Sequence, residues 1–220
     1  MKNKWNDSDA KAAIEKYKDV SEDVALRVYT SRLIGADPAL VLHGGGNTSV
    51  KSRTFNKVNE EVEVLYVKGS GWDLDTLEPQ GLPGVLLDHL QKLRNLDRLS
   101  DEEMVNEQRT HLLDASSPNP SVETLLHAFL PHKFIDHSHA DASLILANQP
   151  DAEALCQEIY GDRIGVVSYI MPGFALAKAS AEVYEKNPNV EGLMLINHGL
   201  FTFGNTAKES YDRHIHAVTL

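Results

Sequence analysis

The sequence predicts a single α/β domain over residues 1–220. Three observations carry this. Segments with strand-like alternation interleave with helical segments along the whole chain. No proline- or serine-rich linker divides it. The 220 residues are enough to bury a real core. The connections follow no regular βαβ rhythm. Residues AVILMFWYC make up 42% and DEKR 24%, a balance that excludes a disordered tail, a collagen-like fibre and a disulfide scaffold.

Residues 1–20 read as an N-terminal extension, because MKNKWNDSDAKAA is charged and lacks the apolar core of a leader. A helix is expected over 21–34. Ser21 suits its N-cap, Glu22 and Asp23 suit the positive end of its dipole, Val24, Leu26, Val28, Leu33 and Ile34 form its apolar face, and Gly35 its end. A short apolar strand over 39–43 is expected to run into Gly44, Gly45 and Gly46. EVEVLYV alternates as a strand and ends in a second small-residue turn, Lys68-Gly69-Ser70-Gly71. Two helices are expected between 84 and 113, the second opened by a capping box of Ser100 and Glu103. The stretch SSPNPS is a loop. A short helix follows from Val122 and must stop before Pro131. Further on, strands are expected over 134–139, 164–170, 192–197 and 200–203, with helices over 142–147, 151–160, 174–185 and 207–218.

Lys plus Arg number 21 against 32 Asp plus Glu, a formal net charge of -11. Such a field disfavours nucleic acid and anionic membrane. No stretch approaches the roughly 18 apolar residues of a membrane helix. A lone cysteine, Cys156, excludes an internal disulfide and fits a reducing cytoplasm. It falls at an apolar helical position and reads as core.

Chemistry is concentrated in the histidines. Asp136-His137-Ser138-His139 closes an apolar segment. On a strand, residues i and i+2 share a face, so His137 and His139 project two imidazoles side by side. That spacing suits a divalent metal that takes nitrogen ligands. His198, at a strand mouth before Gly199, is a third candidate. Three neutral imidazoles leave a bound ion its full charge and open positions, which makes a strong Lewis acid. Glu123 is the nearest upstream carboxylate in a suggestive place. It is equally what a first-turn acid complementing a helix dipole looks like. Asp136 alternates onto the other face and is at most a support for a ligand imidazole.

Two glycine-rich turns complete the picture. Gly44-Gly45-Gly46-Asn47-Thr48-Ser49 and Gly69-Ser70-Gly71 let backbone N–H groups approach an anion, and Lys51 or Lys68 would add positive charge. Either turn alone is also a plain strand exit. Neither matches a Walker loop or a dinucleotide fingerprint, and no G-x-S-x-G elbow supports the His43-Gly-Gly-Gly run as part of a serine hydrolase. Trp72 either lines a pocket or packs.

GGGNTSVK, VKGSGWDL, PSVE, HSHAD and INHGLFTFG occur in this order. Together they resemble the class II aldolase/adducin family, and among its members the aldolase part of the bifunctional rhamnulose-1-phosphate aldolase/alcohol dehydrogenases. The resemblance implies a three-layer α/β/α fold with a mostly antiparallel central sheet flanked by helices. It implies Zn2+ or another divalent transition metal on His137, His139 and His198. Glu123 would be the catalytic acid/base, and Tyr169 a proton donor reaching in from a neighbouring subunit. Gly46, Asn47, Ser49, Ser70, Gly71 and Ser121 would hold a substrate phosphate. The implied partner is a small phosphorylated sugar, the implied assembly a homo-oligomer, with a tetramer favoured. A longer parent chain would carry a dehydrogenase module. Val122 stands where simple aldolases often have a second serine, and the stretch from Trp72 to Ser121 is longer than theirs, as in the bifunctional type. A sugar-phosphate dehydratase or epimerase on the same scaffold is the competing enzyme. An adducin-like binding module, which would lack the metal histidines, is the competing non-enzyme.

Overall fold

The computed structural model describes residues 1–220. The chain opens with α1 (Asp7–Lys16) and α2 (Glu22–Gly35), then β1 (Asn47–Phe55), β2 (Glu61–Val67) and β3 (Gly84–Leu86). There follow α3 (Leu87–Leu93), α4 (Asp101–Thr110), α5 (Thr124–Phe129) and β4 (Phe134–Ser138). The C-terminal half adds α6 (Asp141–Ala147), α7 (Ala152–Tyr160), β5 (Ile164–Val167), α8 (Phe174–Lys186), β6 (Gly192–Leu195), β7 (Gly199–Gly204) and α9 (Ala207–Thr219). No helix is long and apolar enough to cross a membrane.

The seven strands form one sheet in the order β3-β2-β1-β4-β7-β6-β5. The sheet is mixed: β5 runs parallel to β6, while every other neighbouring pair is antiparallel. Alternation along the strands sends side chains to two faces. Leu65, Ile135, Leu193, Phe201 and Phe203 pack against α3, α5 and α8. Val50 and Phe134 pack against Val24, Val28 and Ile34 of α2 and Tyr211 and Ile215 of α9. Trp5, Tyr17 and Val20 also lie on this second cluster, and Trp5 meets Tyr29 edge-on, so the N-terminal segment is anchored on α2.

Several expectations are corrected. Residues 39–43 form no strand. Asp37 accepts hydrogen bonds from the N–H groups of Leu40 and Val41, so a turn satisfies this backbone locally. The strand begins after the glycines, at Asn47, in a polar run whose first four residues are nonetheless buried. The first helix expected after residue 84 starts at Leu87, because Gly84 to Leu86 pair with Val64 to Tyr66 of β2. A Cβ on Gly84 would stand 3.0 Å from both Tyr66 and Val64.

The α2 face is also more polar than its pattern suggested. Arg27, Thr30 and Ser31 are fully buried there. Arg27 is ion-paired with Asp136 and donates from Nη1 to the Ser49 and Ile135 carbonyls at 3.3 and 3.2 Å. The Ser210 hydroxyl donates to the other Asp136 oxygen at 2.5 Å. Asp136 thus lies beneath the sheet and touches none of the three candidate metal histidines through hydrogen bonds.

Candidate metal centre and adjoining pocket

The ends of three central strands meet at one place. Asn47, the first residue of β1, is paired with His137 of β4, and His137 is paired with Phe201 of β7. His139 lies just past the end of β4. A tight turn after β6 returns the chain into β7, closed by the His198 N–H on the Leu195 carbonyl at 3.1 Å. Asn197 adopts a φ of 57° within that turn, a left-handed conformation that asparagine tolerates better than most residues. Gly199 makes room. A Cβ there would stand 2.5 Å from the Ser138 carbonyl oxygen and 3.0 Å from both the His137 and His139 rings.

Donor atoms of His137, His139 and His198 lie within 4.8 Å of one another. The Nε2 atoms of His137 and His139 are 3.0 Å apart. Tetrahedral ligands about 2.0–2.1 Å from a zinc-sized ion stand roughly 3.4 Å apart, which falls inside this range. The His137 Nδ1–H donates to the Leu200 carbonyl at 3.0 Å, which leaves Nε2 as the free lone pair. Phe201 stacks on the same ring, with centroids 4.0 Å apart. Burial holds the His137 imidazole well below its usual pKa, so it is neutral, as a metal ligand must be.

Glu123 belongs to this cluster. It occupies the N-cap position of α5 but makes no capping hydrogen bond. Its side chain turns to the histidines instead: Oε2 is 3.4 Å from His137 Nε2, and Oε1 is 3.0 Å from His198 Nε2. Burial raises its pKa. The adjacent His137 and His198, with a hydrogen bond from Asn47, outweigh that and hold the carboxyl well below the ordinary range. Asn47 Nδ2 donates to Oε2 at 2.5 Å. Glu123 Oε1 and His198 Nδ1 are buried without a hydrogen-bond partner. A buried carboxylate oxygen without a hydrogen-bond partner beside three convergent imidazoles is what a divalent transition ion would satisfy, so the donor set fits one.

A pocket of about 340 Å³ adjoins the cluster through His139 and Glu123. Gly46, Asn47, Ser70, Gly71 and Ser121 line it, with Lys68 as its cation. Lys68 is 5% exposed and donates to the Gly44 carbonyl at 3.0 Å. Gly71, at φ 85°, has open space where a Cβ would be. The structure separates the other candidates from this group. Ser49 shares the face of Asn47 but lies two residues further along β1, fully buried with its Oγ 2.7 Å from His127 Nδ1 and outside the pocket. The Lys51 ammonium reaches the Leu130 and His132 carbonyls instead. Trp72 packs on the second core cluster. Tyr169 is 54% exposed in the segment after β5 and does not line the pocket. Cys156 is buried.

His127 escaped the sequence reading. It is fully buried and linked to Asn47. Its signal was the i, i+4 spacing from Glu123, one helical turn on. A second group is formed by His89 of α3, Glu107 of α4 and His111, the residue that caps the C-terminus of α4. The two rings there stack 3.2 Å apart and 6° from parallel. Imidazole lone pairs lie in the ring plane, so rings so stacked cannot both aim at one ion.

Comparison with known proteins shows the family and the fold. A profile described as Class II Aldolase and Adducin N-terminal domain matches residues 26–220. An uncharacterized oxidoreductase of Bacillus subtilis, YuxG, is 39% identical over 204 residues, which is 93% of this chain and 30% of that protein. The chain therefore spans under a third of that curated relative. The N-terminal class II aldolase domain of a conserved protein from Thermoplasma acidophilum is 42% identical, with a TM-score of 0.89, over 100% of this chain and 96% of that one. A sugar-phosphate aldolase from Thermotoga maritima shares the fold at 16% identity and a TM-score of 0.67, over 90% of this chain and 91% of that one.

Proposed function

The chain belongs to the class II aldolase and adducin N-terminal domain family, and from that premise we propose that it is a metal-dependent aldehyde-lyase acting on a ketose 1-phosphate of the rhamnulose 1-phosphate type. One observation carries the reading: a carboxylate placed 3.0 and 3.4 Å from two of three convergent imidazoles, beside a glycine-lined pocket that holds Lys68. His137, His139 and His198 would hold Zn2+ or a similar ion. When bound, it would polarise the substrate carbonyl and stabilise negative charge on its oxygens.

The chain's own residues do the rest. Lys68 and the two glycine turns bind the phosphate at one end of the pocket, with Ser70 and Ser121 adding hydroxyls. Anchoring the phosphate orients the reacting carbons without touching them. In the condensation direction Glu123 removes a proton from the hydroxymethyl carbon of dihydroxyacetone phosphate. That carbon's electron pair forms the new bond to the aldehyde carbon, and the aldehyde oxygen takes up a proton from Tyr169 of a neighbouring copy. Cleavage is the reverse: Glu123 returns the proton to carbon, and dihydroxyacetone phosphate and an aldehyde leave.

The relative's description as an oxidoreductase, and the small share of it that this chain spans, support a parent protein in which this module works beside a dehydrogenase. Product analysis tests the function. Metal-loaded protein with rhamnulose 1-phosphate is expected to yield two three-carbon fragments. A single six-carbon product would instead establish a dehydratase or epimerase, and no turnover of any sugar phosphate with no bound metal would point to a binding module.

A further inference from the structure

The carboxylate proposed to move the proton is gripped by an amide, and that amide is gripped in turn by a histidine with no part in the chemistry above. His127 Nδ1 lies 2.7 Å from Ser49 Oγ, and its Nε2 is hydrogen-bonded to Asn47 Oδ1. Asn47 Nδ2 then donates to Glu123 Oε2 at 2.5 Å and to Ser121 Oγ at 3.1 Å.

The donor directions follow from the groups themselves. An amide oxygen only accepts, so His127 Nε2 carries the hydrogen. Burial lowers the His127 pKa to about 3, so the ring is neutral and Nδ1 is bare. Nδ1 therefore accepts from the Ser49 hydroxyl. The run is one-way, from Ser49 through His127 and Asn47 to Glu123. Turning the Asn47 amide over would set its oxygen against the carboxylate, a repulsive contact in a region where unpaired polar groups are costly, and would require the His127 hydrogen to move to Nδ1.

We propose that His127 is a positioning residue: it fixes the Asn47 amide so that its NH2 faces Glu123, and so aims the carboxylate at the substrate carbon. Ser49 acts in the same device by holding the His127 ring through Nδ1. The proposal rests on the lyase reading only for its effect on rate; the positioning itself is a structural statement.

Four metal-loaded proteins test it: wild type, His127→Leu, His127→Gln and Ser49→Ala. His127→Leu is expected to keep its metal and KM within a few-fold while kcat falls about 100-fold, the scale of a misplaced general base. Its crystal structure is expected to show Asn47 beyond hydrogen-bond reach of Glu123. His127→Gln, whose amide N–H can stand where the imidazole N–H stood, is expected to recover most of kcat. Should the leucine variant fail to fold, Ser49→Ala decides, with an expected loss of about tenfold as the His127 ring loses the hydrogen bond that holds it at Nδ1. An Asn47–Glu123 contact and kcat both intact in His127→Leu would overturn the proposal. So would a glutamine variant as impaired as the leucine one, or an unchanged Ser49→Ala. If wild type itself cleaves no sugar phosphate, the lyase reading fails, and the Asn47–Glu123 contact in the crystal structures still decides the positioning.

Discussion

Gly199 shows how one missing side chain governs this site. The three imidazoles can converge only because the backbone between His198 and β7 passes within van der Waals reach of His137 and His139. Gly199→Ala would drive a methyl group into the Ser138 carbonyl and against both rings. The expected result is a loss of about 1–3 kcal/mol of stability and weaker metal binding, read by thermal unfolding and metal titration. Lys68 acts at the other end of the pocket. Its stem is buried and its ammonium faces glycine backbone, so Lys68→Met removes charge with little change of volume. The KM for a phosphorylated sugar is expected to rise about tenfold or more, with a smaller change in kcat, because phosphate binding is used equally in the ground and transition states. Steady-state kinetics separates the two constants.

At the scale of elements, the polar layer between the sheet and α9 contributes to the response to acid. His214 on α9 is fully buried, with its ring nitrogens 2.8 Å from Thr202 Oγ1 and 2.7 Å from Ser138 Oγ. Burial lowers its pKa from 6.5 to about 4. Below pH 6.5 the unfolded chain takes up a proton there that the folded chain refuses. Stability therefore falls as pH drops from 6.5 toward 4, by about 3 kcal/mol from this residue. His214→Gln is expected to flatten that part of the profile, and a variant melting curve parallel to wild type between pH 7 and 4.5 would contradict it.

The same layer shows what the sequence could and could not tell. The amphipathic helices and alternating strands were legible because burial there is apolar. β1 was not, since Asn47, Thr48 and Ser49 are buried polar residues with partners on other elements. Arg27 and Asp136 were invisible as a pair for the same reason: 109 positions separate them, and only the fold brings them together. The pair His137 and His139 was legible from spacing, with His198 a candidate beside it, and the structure brings the three together. The aim of Glu123 was not, because a first-turn acid and a site carboxylate look alike until the helix end is seen to lack a capping bond.

On the scale of the whole molecule, the chain carries a net charge of -11 yet surrounds its pocket with glycines and one buried lysine. Under the proposed function it is this local geometry, not the global field, that would select an anion. Tyr169 stands exposed outside the pocket of its own chain. If it serves a neighbouring copy, Tyr169→Phe and Glu123→Gln are each expected to be nearly inactive, and mixing the two under conditions that exchange subunits is expected to restore activity that neither has alone. Mixed samples no more active than their parts would place the tyrosine outside the reaction. The most direct measurement of the central claim is the metal content of purified wild type and of His137→Ala, His139→Ala, His198→Ala and Glu123→Gln. One divalent transition ion per chain is expected in wild type and in Glu123→Gln, with little in any histidine variant. A wild type without the ion after mild purification, or a His198→Ala protein that holds it as tightly as wild type, would contradict the account.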